Sequence, residues 1–175
     1  KAQAQKLLAS SQLVYGSLDR VEVLDADAKK GAFISPVLLK NEKPFENNAS
    51  HEIEAFGPVS TIMPYKNLEE AIALSKKGKG SLCSSIVTTD NKIATEYTIG
   101  AAPYHGRILI LNTECAKEST GHGSPLPLLV HGGPGRAGGG EEMGGVRGIK
   151  HYMQRVAIQG SPATITEITK TYQQN

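Results

Sequence analysis

The chain has 175 residues, 39% of them hydrophobic and 21% charged, and a net charge of +2; this suffices for one globular domain with a real core. Its cations are scattered, with neither the basic stripe nor the aromatic ladder that a nucleic-acid binder needs. No run approaches the roughly 18 apolar residues of a membrane span, and the opening KAQAQKLLASSQL is too polar for a signal peptide.

Cys83 and Cys115 are the two cysteines. Two do not make a disulfide framework, so a reducing, cytoplasmic setting is expected. The chain opens at Lys1 inside an expected helix, and we expect it to be a piece of a longer protein. Asn48-Ala49-Ser50 fits the glycosylation pattern, which without a leader reads as chance.

In chain order, residues 2–15 read as a helix. Leu7, Leu8, Val14 and Tyr15 return at helical spacing and Gly16 stops them. Val21–Leu24 is a short strand candidate. AFISPVLL (32–39) is an apolar strand whose Pro36 points to an edge or an irregular ladder. Residues 40–51 are polar and loop-like. VSTIMPY (59–65) is a strand. NLEEAIALSKK (67–77) is a helix with Asn67 as N-cap, Glu70 in a capping box and lysines at the C-terminal end.

SSIVTT (84–89) follows as a strand. Asp90 caps a helix that runs to about Ile99 and stops at Gly100, and RILILN (107–112) is a buried strand. Strand, helix, strand, helix, strand is the order of an α/β layer with parallel pairing. Residues 113–148 hold most of the glycines and read as one long irregular stretch. MQRVAIQ (153–159) alternates as a half-exposed strand. ATITEITKTYQQN is a short terminal helix or a frayed tail.

The motifs that could carry chemistry are mostly outweighed by plainer readings. GPGRAG (133–138) matches G-x-G-x-x-G, but further glycines follow it and no acid lies between Glu142 and Glu167. A dinucleotide fingerprint needs a helix and an acid there. A tight loop passing close to another backbone is the preferred reading. His51, His105, His122, His131 and His151 show no metal-ligand spacing, so no metal site is expected. Cys83 reads as a small core hydrophobe. Cys115 follows a strand, where loops of α/β sheets line sites, yet nothing nearby marks it as activated. Ser124 lacks a nucleophile elbow. The adjacent Glu141-Glu142 diverge on any regular element and read as a solvated loop.

HEIEAFGPVSTIMPY (51–65) stands apart. Gly57-Pro58 interrupts helix and strand alike, so Glu54 and Phe56 sit on a turn ahead of a strand. A surface acid beside a core aromatic is the plain alternative. In the functional alternative, the carboxylate accepts two hydrogen bonds from a ribose diol, the ring packs on a flat heterocycle, and the Gly-Pro bend presents both.

E-A-F-G-P-V resembles the E-x-F-G-P motif of the aldehyde dehydrogenase superfamily. The helix 67–77, SSIVTTD, RILILN and a glycine-rich loop ending Glu-Glu-Met-Gly follow in that family's order. The closing HGSPLPLLVHGGPGRAGGGEEMGGVRGIKHYMQRVAIQGSP is most like the dehydrogenase portion of the bifunctional proteins of phenylacetate degradation, with semialdehyde dehydrogenases of the benzoyl-CoA pathway next to it.

The resemblance implies a three-layer α/β sandwich with a largely parallel sheet and a C-terminal exposed strand. It divides the chain into a partial catalytic domain (1–152) and an oligomerisation strand with its tail (153–175). It implies NAD or NADP as cofactor, an acyl-CoA semialdehyde as substrate and a homo-oligomer in the full-length protein. The family's chemistry is attack of a cysteine on an aldehyde, hydride transfer to the cofactor, and release of the acid by a glutamate-activated water. By position, Glu54 would hold the nicotinamide ribose, Phe56 would steady the nicotinamide end, and 112–131 would fall near the substrate entrance.

The family's nucleophile lies in a G-Q-x-C motif upstream of E-x-F-G-P. No G-Q-x-C occurs here, and both cysteines lie downstream of Glu54. The resemblance therefore assigns no catalytic residue to this chain and implies no dehydrogenase activity alone. Two other readings remain open: a stand-alone α/β interaction module that pairs through the strand 153–159, and a degenerate dehydrogenase fragment retained for regulation.

Overall fold

The computed structural model describes residues 1–122, 132–138, 149, 153 and 155–174. The chain divides into two compact units, Lys1–Lys66 and Asn67–Asn175. Each carries a three-stranded sheet.

In the first unit, helix α1 (Ala2–Leu8) is followed by β1 (Gln12–Tyr15), β2 (Val37–Lys40), a one-turn helix α2 (Ala49–Glu52) and β3 (Val59–Ile62). The strand order is β1-β2-β3, with β1 antiparallel and β3 parallel to β2. The helix expected over 2–15 thus ends after two turns. The Ser10 amide and hydroxyl both donate to the Leu7 carbonyl, and Leu13, Val14 and Tyr15 belong to an exposed edge strand. β-Branched and aromatic side chains suit that ladder better than a helix.

The expected strand at Val21–Leu24 is irregular backbone, and Asp25 at φ 52 turns the chain away. The expected strand at 32–39 begins only at Val37, whose amide donates to the Pro58 carbonyl. Pro36 has no amide to extend the ladder backwards. Of the loop expected over residues 40–51, Lys40 closes β2, 41–48 are irregular, and α2 begins at Ala49.

The second unit runs α3 (Leu68–Lys76), β4 (Ser81–Val87), α4 (Asn91–Ala101), β5 (His105–Leu111), β6 (Ala157–Gln159) and α5 (Pro162–Thr169). Its sheet is wholly parallel in the order β4-β5-β6. Both caps are where the residue types put them. The Asn67 side chain accepts from the Glu70 amide, and Asp90 accepts from the amides of Lys92 and Ile93. Helix α4 runs past Gly100 to Ala101 and gives way to a tight turn carrying Pro103, which has no amide to continue the helical ladder. The tail reads as a helix: Ser161 caps α5 by accepting from the Thr164 amide.

Each unit has its own core. Ala4, Leu7, Leu18, Val37 and Leu39 form the first, joined by Ile53, Ala55 and Val59. Ala94, Tyr97 and Ala101 form one stripe of α4 against Ile108 and Ile110, both fully buried. Burying such a side chain contributes about 1.5–3 kcal/mol. Among the described residues no helix is long and apolar enough to cross a membrane.

The cap on α4 yields a direct test. Asp90→Ala should lower the unfolding free energy by about 1 kcal/mol, whereas Asp90→Asn should retain most of it. Urea denaturation followed by circular dichroism reads the difference, and equal midpoints for Asp90→Ala and the parent would deny the cap its role.

Candidate functional site

The segment after α2 is extended, with Ile53 at φ −104 and ψ 117. Extended backbone turns alternate side chains to opposite sides. Ile53 and Ala55 pack into the first core, so Glu54 and Phe56 emerge together on the solvent side. Phe56 is 98% exposed, which removes the reading of it as a core aromatic. The bend at Gly57-Pro58 is fixed on its far side: the Val59 amide donates to the Gly57 carbonyl at 2.8 Å, and the Pro58 carbonyl receives the Val37 amide at 2.9 Å. The two expected binding residues therefore share one side of a chain anchored at both ends. Phe56 also borders an open cleft of about 720 Å³ within the first unit, along with Arg20, Lys29 and Phe33.

The other sequence candidates fare differently. Cys83 is exposed rather than a core hydrophobe. Ser84, one residue on, turns its hydroxyl to the Tyr97 hydroxyl of α4, and alternation sends Cys83 to the opposite face of an edge strand. Cys115 is half-buried and its Sγ donates to the Ile110 carbonyl at 3.4 Å. It borders a cleft of about 280 Å³ with Leu109, Glu118, Thr120 and Gln159.

The GPGRAG stretch makes a single tight helical turn at Gly135–Ala137 rather than opening a helix. Gly135 has φ +55, and a Cβ there would come within 2.2 Å of the Lys79 carbonyl. The Arg136 amide donates to that same oxygen. This is the close backbone passage expected of it, and nothing in it resembles a phosphate loop. Ser124, His131, Glu141, Glu142 and His151 lie outside the described residues. Among the described residues no three His, Cys, Asp or Glu side chains gather where a metal could sit.

Two clusters were not anticipated from the sequence. His122 Nε2 lies 2.9 Å from Ser85 Oγ, and Arg107 donates to the His122 carbonyl at 3.2 Å. Burial, and then the Arg107 guanidinium, hold the His122 pKa below the ordinary 6.5. The second cluster centres on Asn112. Its Oδ1 receives the amides of Glu114 and Cys115, while its Nδ2 donates to Ser161 and Thr164. Thr164 donates onward to Asn91 at the start of α4. A local signal existed for half of this, since Asn just past a strand favours such a turn. The partners some fifty residues away left none.

Residues 3–158 match the model of the aldehyde dehydrogenase family. The chain belongs to that family. Over 138 residues it is 58% identical to Protein MaoC of Klebsiella aerogenes, a match covering 79% of this chain and 41% of that protein. It is 36% identical over 129 residues to the 3,4-dehydroadipyl-CoA semialdehyde dehydrogenase of Aromatoleum evansii, covering 74% and 25%. Lactaldehyde dehydrogenase of Methanococcus maripaludis is 27% identical over 135 residues, covering 77% and 25%. The chain thus spans less than half the length of each of these aldehyde dehydrogenase relatives or of MaoC.

His122 makes the second unit's stability depend on pH. Below 6.5 the unfolded chain takes up a proton that the folded chain resists, so stability is full above that pH and falls as pH drops toward the folded value. His122→Gln should flatten that part of the profile. Thermal midpoints measured across the weakly acidic range test this; identical pH slopes in the two proteins would count against it.

Proposed function

We propose that this chain is the C-terminal part of the catalytic domain of an NAD(P)-dependent semialdehyde dehydrogenase, a three-layer α/β sandwich when whole. The substrate is an acyl-CoA-linked aldehyde, oxidised to its acid during breakdown of aromatic compounds, as in the bifunctional proteins of phenylacetate degradation. The Aromatoleum evansii relative, a 3,4-dehydroadipyl-CoA semialdehyde dehydrogenase, supports the CoA-linked substrate class. Family membership supports a nicotinamide cofactor.

One observation carries the site assignment: Glu54 and Phe56 both stand exposed on the same side of an extended, anchored segment. The donor set fits the cofactor. A carboxylate accepts two hydrogen bonds from neighbouring ribose hydroxyls, and an uncovered phenyl face suits a flat ring. When bound, the cofactor supplies hydride acceptance. Glu54 would hold its nicotinamide ribose and Phe56 would keep the nicotinamide end in register with the substrate.

The sequence contains no G-Q-x-C, and Cys83 and Cys115 both follow Glu54, so neither matches the family's nucleophile by position. The chain alone is accordingly inactive. Given NAD⁺ or NADP⁺ and a medium-chain aldehyde, it should produce no rise in the reduced-cofactor absorbance band, and sustained turnover would overturn the reading. In the longer enzyme, Glu54→Gln should lower kcat/KM for the cofactor about tenfold or more, the loss of a charge-assisted contact. Unchanged cofactor kinetics would remove Glu54 from the site.

The interaction-module reading draws on β6, which pairs only with β5 among the described residues. Within the dehydrogenase reading, that strand serves assembly of a homo-oligomer, in a cytoplasmic protein.

A further inference from the structure

Ile108 and Ile110 of β5 face α4, so Leu109 between them faces the other way. Leu109 pairs with Gln159 of β6 on that second face and is only 5% exposed. What covers it is the chain itself. After β5, residues 113–122 turn back over this face, and Cys115, Glu118 and Thr120 border with Leu109 and Gln159 the hollow of about 280 Å³. This returning stretch is held at its two ends. At the near end Asn112 Oδ1 receives the amides of Glu114 and Cys115 at 3.0 and 3.2 Å. At the far end His122 Nε2 lies 2.9 Å from Ser85 Oγ on β4, and Arg107 on β5 donates to the His122 carbonyl. Between the ends the bonds are local: the Glu118 and Ser119 amides donate to the Cys115 carbonyl, and the Gly121 amide to the Ser119 hydroxyl.

We propose that residues 113–122 form a strap, latched over the hollow by the contact of His122 with Ser85, and that protonation of the imidazole releases the latch and uncovers Cys115. The geometry of the far end makes it sensitive to charge. His122 Nδ1 is buried with no partner among the described residues. A neutral ring can leave that nitrogen bare while Nε2 bonds to Ser85, whereas a protonated ring buries an N–H that has no acceptor. Burial and the Arg107 guanidinium both oppose the charged ring, and together they outweigh the Ser84 backbone, which favours it. Arg107 is the one charge acting on the ring among the described residues. Cys83, opposite Arg107 on β4, is a further titratable group on this face, and Glu114, Lys117 and Glu118 are exposed on the strap itself. An opened strap lets the imidazolium reach water. The near end stays fixed by Asn112, so the motion is a local swing and leaves the sheet paired. This proposal does not depend on the dehydrogenase reading.

The test is iodoacetamide labelling of the folded 175-residue chain, read by peptide mass spectrometry so that Cys115 is resolved from Cys83. Each rate is divided by that of the chain unfolded in urea at the same pH, which removes the ionisation of the thiol itself. From about pH 7.5 to about pH 5.5 the normalised Cys115 rate should rise about three- to tenfold, tenfold being roughly the most that one imidazole of ordinary pKa supplies over that range. His122→Gln should abolish the rise. Ser85→Ala should raise the rate at neutral pH toward the acid value. A little urea should leave the rate unchanged, since a local opening exposes little new surface, whereas global unfolding responds steeply. Circular dichroism verifies that the variants are folded, and the pH and urea series on the parent decide if one is not. A flat profile in the parent, an undiminished rise in His122→Gln, unchanged protection in Ser85→Ala, or labelling that accelerates steeply with dilute urea would each overturn the proposal.

Discussion

Ile53 and Ala55 bury their side chains in the core of the first unit, and this anchoring decides which way their neighbours face. An extended chain gives Glu54 and Phe56 no choice once the residues between and before them point inward. The parallel pairing of β2 with β3, from Val37 opposite Val59 to Lys40 opposite Ile62, then fixes where the segment ends. A slip of one residue would bury the carboxylate and expose the two apolar side chains, which is unfavourable on both counts. Function at this site, in the reading favoured here, is thus a by-product of hydrophobic registry. The site needs no elaborate polar scaffold, only two apolar residues, Ile53 and Ala55, alternating with two outward ones and a rigid bend.

The second unit is built on a different principle. Its parallel sheet places Ile108 and Ile110 against one stripe of α4, while paired residues on the opposite face are Cys83 with Arg107 and Ser85 with Leu109. Parallel sheets are ordinarily covered on both faces. Here the second face carries His122 above Ser85, and Cys83 and Val87 stand exposed among the described residues. The sheet therefore has one dry, tightly packed side and one side with polar and reactive groups. The close passage of Gly135 over Lys79 shows how the glycine-rich stretch reaches the start of β4 without side chains intervening.

Helix caps and apolar strands were legible in the sequence because they are local. Asn67 and Asp90 announce α3 and α4 through residue type alone, and RILIL reads as buried because nearly every position is apolar. Failures arose where a distant partner overrode a local pattern. Leu13–Tyr15 continue a helical spacing, yet pairing with β2 draws them into a strand. Val21–Leu24 has the residues of a strand but pairs with no strand among the described residues. Cys83 looks apolar enough for a core but falls on the outward face of an edge strand. At the site, the motif around Glu54 was visible as a turn before a strand, and its outward geometry followed from alternation. The cleft behind Phe56 was not visible, since it gathers Lys1, residues from 19 to 34 and Phe56.

The hydrogen-bond hub at Asn112 ties together parts of the chain far apart in sequence. One amide side chain shapes the turn carrying Cys115 with its oxygen and grips the cap of the last helix with its nitrogen. That last helix thereby acts as a clasp on a loop that precedes it by almost fifty residues. Loss of Ser161 and Thr164 would therefore reach the sulfur-bearing turn through Asn112 and the start of α4 through Asn91.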